Sequence, residues 1–150
     1  MKNPYLYILM RTDLPSMSSG RAAAQASHAA NAFWHKYKSQ TDAKNWASQT
    51  AQGFGTAIVL GATFDQIKEK CAAAITKHFP CDTVVDPDYV VPILSELVPY
   101  LDKDNKAIKV EQSPTDPKKY FIHREEVTCA YILGDKEDLS PILGDLALYS

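Results

Sequence analysis

Arg21, Gln25 and His28 stand at i, i+4 and i+7 in the stretch Ser18-Ser19-Gly20-Arg21-Ala22-Ala23-Ala24-Gln25-Ala26-Ser27-His28-Ala29. On a helix, a guanidinium, an amide and an imidazole would share one narrow stripe near the N-terminus. That end of a helix attracts anions. Imidazole exchanges a proton near neutral pH. An amide both donates and accepts, and a guanidinium stays charged and grips a phosphate or carboxylate bidentately. Asp86, in Asp86-Pro87-Asp88-Tyr89, is the fourth candidate. It follows a short strand-like run, at the end of a strand where α/β sheets place ligands. The helix groups together mark a place where an anion could be bound and a reaction catalysed. Each also has a structural use. Gln25 can cap loop backbone, His28 can tie the helix to a neighbouring loop, and Asp86 can close an Asx turn before Pro87.

Positioning them requires a strand, a break and a helix. Residues 5–10 form a continuous apolar, β-prone run that reads as a central strand buried on both faces. Arg11-Thr12-Asp13-Leu14-Pro15 breaks it. A helix follows over about 18–38, capped by Ser18 or Ser19 and built of alanine, the best helix former. Its apolar face is Ala22, Ala26, Ala29, Ala30, Phe33 and Tyr37, which puts the Arg21 stripe on the opposite side.

A second short helix is expected over 42–51, with Trp46 against the core and Gly53-Phe54-Gly55 as its breaker. Residues 56–60 read as a strand. Thr63-Phe64-Asp65-Gln66 fits a capping box opening a helix that Pro80 ends. A short third strand covers 82–85. Residues 91–126 read as an inserted surface excursion. It holds a helical turn at 93–97, a polar loop Asp102-Lys103-Asp104-Asn105-Lys106, and a strand at 107–111 able to pair with 120–122. Residues 127–133 form a strong strand, a helix containing Ser140-Pro141 follows, and 146–149 read as a closing edge strand. This order predicts an α/β fold, a single domain over 1–150, with a mixed four- to five-stranded sheet and helices on both faces.

The chain has 150 residues, enough for one substantial core. No apolar run approaches the roughly 20 residues that span a bilayer, and the first residues read as a strand rather than a signal peptide. Cys71, Cys81 and Cys129 are widely spaced and odd in number. They read as reduced thiols of a cytoplasmic protein, with no disulfide framework and no zinc site. No cofactor is expected, and His35, His78 and His123 show no metal-ligand spacing. Residues 1–50 carry six Lys/Arg against two Asp/Glu, and residues 51–150 carry ten against sixteen. The half holding Arg21 is therefore positive, compatible with a phosphate-facing surface that includes Lys36, Lys38 and Lys44.

Met10-Arg11-Thr12-Asp13-Leu14 followed by Gly20-Arg21-Ala22-Ala23-Ala24-Gln25-Ala26-Ser27-His28-Ala29 resembles the opening of the type II peptidyl-tRNA hydrolases. Trp46, Ile58-Val59-Leu60, Asp86, Thr128-Cys129-Ala130-Tyr131-Ile132-Leu133-Gly134 and Gly144-Asp145-Leu146-Ala147-Leu148 fall in that family's order. The resemblance implies an α/β fold, no metal, and hydrolysis of the ester joining a peptide to the 3′ ribose of tRNA. It implies tRNA as partner and a homodimer as a common state. Gln25, His28 and Asp86 match the family's site. Arg21 stands where the family has lysine, and Val90 where a threonine follows the aspartate. The carry-over makes His28, Asp86, Gln25 and Arg21 catalytic candidates and Arg21, Lys36, Lys38 and Lys44 tRNA-binding candidates. The alternative is a relative that binds tRNA or another RNA end without turnover. A hydrolase of another small acyl ester or amide is a third class.

Overall fold

The computed structural model describes residues 1–100 and 107–150. The expected polar loop at 102–106 lies outside them. The chain divides into two compact units, residues 1–84 with 128–150, and residues 85–127. The architecture is α/β, with four α-helices among the described residues and a mixed five-stranded sheet.

In the first unit β1 (Pro4–Arg11) is central. It pairs in parallel with β2 (Ala57–Ala62), Leu9 opposite Leu60. On its other side it pairs antiparallel with β5 (Lys119–Asp135), Tyr7 opposite Ile132. β3 (Cys81–Leu94) lies beyond β5, giving the order β2-β1-β5-β3. Alternation along a strand sends successive side chains to opposite faces. Leu6, Ile8 and Met10 therefore join Cys129, Tyr131 and Leu133 under α1 (Ser19–Tyr37) and α2 (Thr41–Ala47). Tyr7 and Leu9 join Ala130 and Ile132 under α3 (Phe64–Thr76) and α4 (Lys136–Leu143). Helices thus cover both faces, as the strand–helix order predicts.

Local chemistry explains the element ends. Ser18 caps α1, its hydroxyl accepting from the Arg21 N–H. Thr63 and Gln66 form the reciprocal capping box of α3. Asp13 adds a carboxylate contact there, accepting from the Phe64 N–H at 3.1 Å while Arg11 holds it at 2.8 Å. Arg11 also lies over the Phe64 ring, 4.9 Å from its centroid. The Arg11-x-Asp13 pair is therefore a brace between the end of β1 and the start of α3.

Four boundaries differ from the sequence expectation, one being that β5 runs unbroken over Lys119–Asp135 where separate strands at 120–122 and 127–133 are expected. α2 stops at Ala47 instead of reaching 51, because Thr50 turns the chain, exchanging hydrogen bonds with the backbone of Phe54. Gly53 then takes φ +85, a conformation open to glycine at little steric cost. β3 does not end at 85 but runs on through Asp86-Pro87 to Leu94. A residue before proline is pushed to extended conformations, so this dipeptide prolongs the strand instead of closing it. The expected edge strand at 146–149 reduces to one bridge between Leu60 and Leu148, supported by Gly61 N–H to Ala147 and Tyr149 N–H to Val59.

The second unit is built on the outer parts of β3 and β5 with β4 (Ala107–Gln112). β4 pairs antiparallel with β5, Val110 opposite Ile122 and Gln112 opposite Tyr120, as the alternation at 107–111 predicts. Asp116 and Ser113 fold the connecting turn through their side chains. The helical turn expected at 93–97 is a 3-10 helix at Ser95–Tyr100. The His123 ring joins three strands, 2.7 Å from Asp88 and 3.2 Å from Glu111. Neither core cluster of the first unit contains a residue from 85–127.

Candidate active site

α1 carries Arg21, Gln25 and His28 within its first three turns. Helix geometry advances 100° per residue, so the three do lie in one stripe. The stripe is not opposite the core face, however. Ala22, Gln25, Ala29 and Phe33 are the buried side chains of α1, which places the stripe on the flank of the core face. Gln25 is 4% exposed, whereas His28 is open to solvent and Arg21 is partly covered. The sequence spacing hides this because a 60° offset separates a buried amide from an exposed imidazole.

Burial gives Gln25 a defined role. The Thr128 hydroxyl, itself fully buried, donates to Gln25 Oε1 at 2.7 Å. The Cys129 thiol donates to the Gln25 backbone carbonyl at 3.6 Å. Burial pushes the Cys129 thiol up to about 12, against an opposing hydrogen bond from Thr128, so it stays protonated. With Oε1 engaged as acceptor, the amide nitrogen is the donor end of the side chain. A donor held rigidly by packing is what stabilisation of a developing oxyanion requires. Sequence reading missed Thr128. The available signal was its hydroxyl at the head of an otherwise apolar run, Cys129 to Leu133, entering the core.

At the N-terminus of α1 no acidic side chain occupies the first turn. Arg21 there adds a fixed cation to the helix end, the combination that suits an anion. On the other flank of α1, Ser19, Ala22, Ala23 and Ala26 line a cavity of about 290 Å³ with Val59, Tyr149 and Ser150. The small alanines open this space; Arg21, Gln25 and His28 do not line it.

Asp86 belongs to the second unit, within β3, two residues beyond Val84. Its Oδ1 accepts from the Asp88 N–H at 2.9 Å, an Asx-type turn that fixes the carboxylate locally. The strand end expected just before it does not exist, for the reason given above.

The cations divide. Lys36 makes a 2.5 Å ion pair with Asp82 and sits over the Tyr37 ring. Its hydrogen bond to the Asp82 carboxylate holds the ammonium above the usual lysine range. Its charge is therefore largely answered within the protein. Lys38 at the C-cap of α1 and Lys44 on α2 are exposed. Among the described residues no group of three or more His, Cys, Asp or Glu side chains is arranged to hold a metal, and no helix is long and apolar enough to cross a membrane.

The model of the family described as peptidyl-tRNA hydrolase PTH2 matches residues 5–92, more than half of the chain. No curated protein matches it.

Proposed function

The chain belongs to the peptidyl-tRNA hydrolase PTH2 family, and from that premise we propose that it hydrolyses the ester between a peptide and the tRNA 3′ ribose. The observation that carries this reading is the family match itself, because it spans Arg21, Gln25, His28 and Asp86. Each group takes the role its chemistry allows. Asp86 or His28 accepts a proton from water as it adds to the ester carbonyl. The Gln25 amide, oriented by Thr128, donates to the oxyanion. Collapse of the tetrahedral intermediate expels the ribose 3′ oxygen, which takes the proton back. Arg21 stays protonated and acts only as a cation, on a phosphate or on the oxyanion. Lys38 and Lys44 attract the tRNA backbone, and Lys36 contributes less because Asp82 neutralises it. The three cysteines are free and buried, in keeping with work in the cytoplasm.

The test is release of the blocked amino acid from an N-blocked aminoacyl-tRNA by the purified protein. Turnover with saturation is the expected result. Arg21 and Val90, where the family has lysine and threonine, favour a second reading in which the chain binds tRNA without cleaving it. Saturable binding with no release would establish that one.

A further inference from the structure

The solvent face of α1 carries a pattern that the core does not use and in which only Lys38 has been given a role. Ser27, Asn31, Trp34 and Lys38 recur at i, i+4, i+7 and i+11, so they form one row along the helix. All four are exposed. His28 and His35, one heptad apart, flank it and are exposed too. Trp34 is the anomaly. Its neighbour Phe33 is fully buried, yet this large indole remains 38% exposed and belongs to neither core cluster. The chain's other indole, Trp46, is 4% exposed and hydrogen-bonded to the Thr56 carbonyl. The row has one aromatic ring among hydrogen-bonding side chains and a cation. That composition differs from the contiguous apolar patch of a protein-docking face.

Charge selects the partner. From Leu14 to Thr41 the sequence contains no Asp or Glu. The helix therefore presents donors and cations without a single carboxylate to repel a phosphate. An exposed aromatic ring beside a cation, on a helix without acidic side chains, is the arrangement that binds single-stranded nucleic acid. Bases stack on the ring, and phosphates meet the charge. From Arg21 to Trp34 the helix rises about 20 Å, at 1.5 Å per residue. The row thus leads away from the N-terminal turn where the candidate chemistry begins.

We propose that this face of α1 is an RNA-docking ridge, with Trp34 as a stacking platform for an unpaired base and Lys38 as its phosphate contact. The proposal rests on the tRNA reading above and adds the residues that would hold the RNA beyond the reacting end.

The two indoles supply the test. Deacylated tRNA is titrated into the wild type and into Trp34→Phe, with indole emission and filter binding followed in parallel. Stacking on Trp34 quenches wild-type emission to saturation. Trp34→Phe, left with only the buried Trp46, shows no quench. Trp34→Ala weakens filter binding about tenfold or more, within the range for loss of one stacked base. Lys38→Glu weakens it further at low salt. If tRNA binds while Trp34 emission stays constant and Trp34→Ala binds like wild type, the ridge is wrong and the tRNA reading stands. If the wild type binds no tRNA at all, both fall together.

Discussion

The hydroxyl of Thr128 on β5 donates to Oε1 of Gln25 on α1 at 2.7 Å, with both side chains buried. The bond ties the helix that carries the candidate chemistry to the middle of the sheet. It also decides which end of the Gln25 amide is the acceptor. Removing the hydroxyl leaves a buried carbonyl oxygen without this donor, a loss of about 1–3 kcal/mol. Thr128→Val is therefore expected to unfold at lower urea. It should also lose turnover, because the amide is no longer held in one orientation. Gln25→Ala should lose about 10²-fold or more in kcat, the scale for a single oxyanion donor. Steady-state kinetics beside urea melts separate the two effects. Thr128→Val with unchanged kcat would remove Thr128 from a positioning role.

Asp86 and His28 are expected to matter more to the reaction than Arg21. A carboxylate or an imidazole can take a proton from water, and a guanidinium cannot. Asp86→Asn and His28→Ala should each cut turnover on N-blocked aminoacyl-tRNA by about 10²–10⁴, the range for a general base. His28 is exposed, so its replacement should leave stability nearly unchanged. Arg21→Lys keeps the cation and should leave the rate equal or higher. Clear wild-type turnover that survives both Asp86→Asn and His28→Ala would place the chemistry elsewhere.

α3 ends in a Schellman turn formed without glycine. The Phe79 N–H bonds the Ala74 carbonyl at 3.0 Å and the His78 N–H bonds Ile75 at 2.9 Å. This geometry needs a left-handed residue between them, and His78 takes φ +62. A side chain in that region costs roughly 1 kcal/mol. His78→Gly is accordingly expected to raise the melting temperature by about 2–4 °C in a chain of this size. Calorimetry checks it, and a lower melting temperature would mean that the imidazole makes compensating contacts.

The pH dependence of stability should have two limbs. Lys70, buried on α3, lies 2.8 and 2.9 Å from the two oxygens of Asp145 and 3.5 Å from Glu69. The Asp145 hydrogen bond, against burial, raises its ammonium above the ordinary 10.5. The stability this supplies is complete below that value and is lost as pH rises through the raised one. The same bond lowers the Asp145 carboxyl below its ordinary 3.8. Burial pushes the Asp13 carboxyl up, but Arg11 and the Phe64 N–H outweigh it and hold it low. Both carboxylates therefore stabilise the fold above 3.8, and that contribution is lost as pH falls through their lowered values. Urea unfolding across the pH range should show both limbs. Lys70→Met should flatten the alkaline limb, and an unaltered profile would mean the pair contributes nothing.

Much of this protein is written locally. The alanines after Ser18, the Thr63–Gln66 capping box and the apolar run at 5–10 each fix an element through contacts a few residues long, and each element appears where its residues put it. The positive N-terminal half and the Arg21–Gln25–His28 spacing are likewise properties of the chain alone. What tertiary structure decided is which of those side chains meet water. Helical spacing places Gln25 and His28 in one stripe, but only the partner across 103 residues, Thr128, makes Gln25 a buried and oriented amide. Asp82, 46 residues from Lys36, gives that surface lysine an ion-pair partner within the protein. Pro87 reads locally as a stop, yet β3 continues through it, because an extended residue before proline suits a strand as well as a turn. Hydrogen bonds and charges between residues far apart in sequence leave no periodic trace, so their outcome exists only once the sheet has brought the partners together.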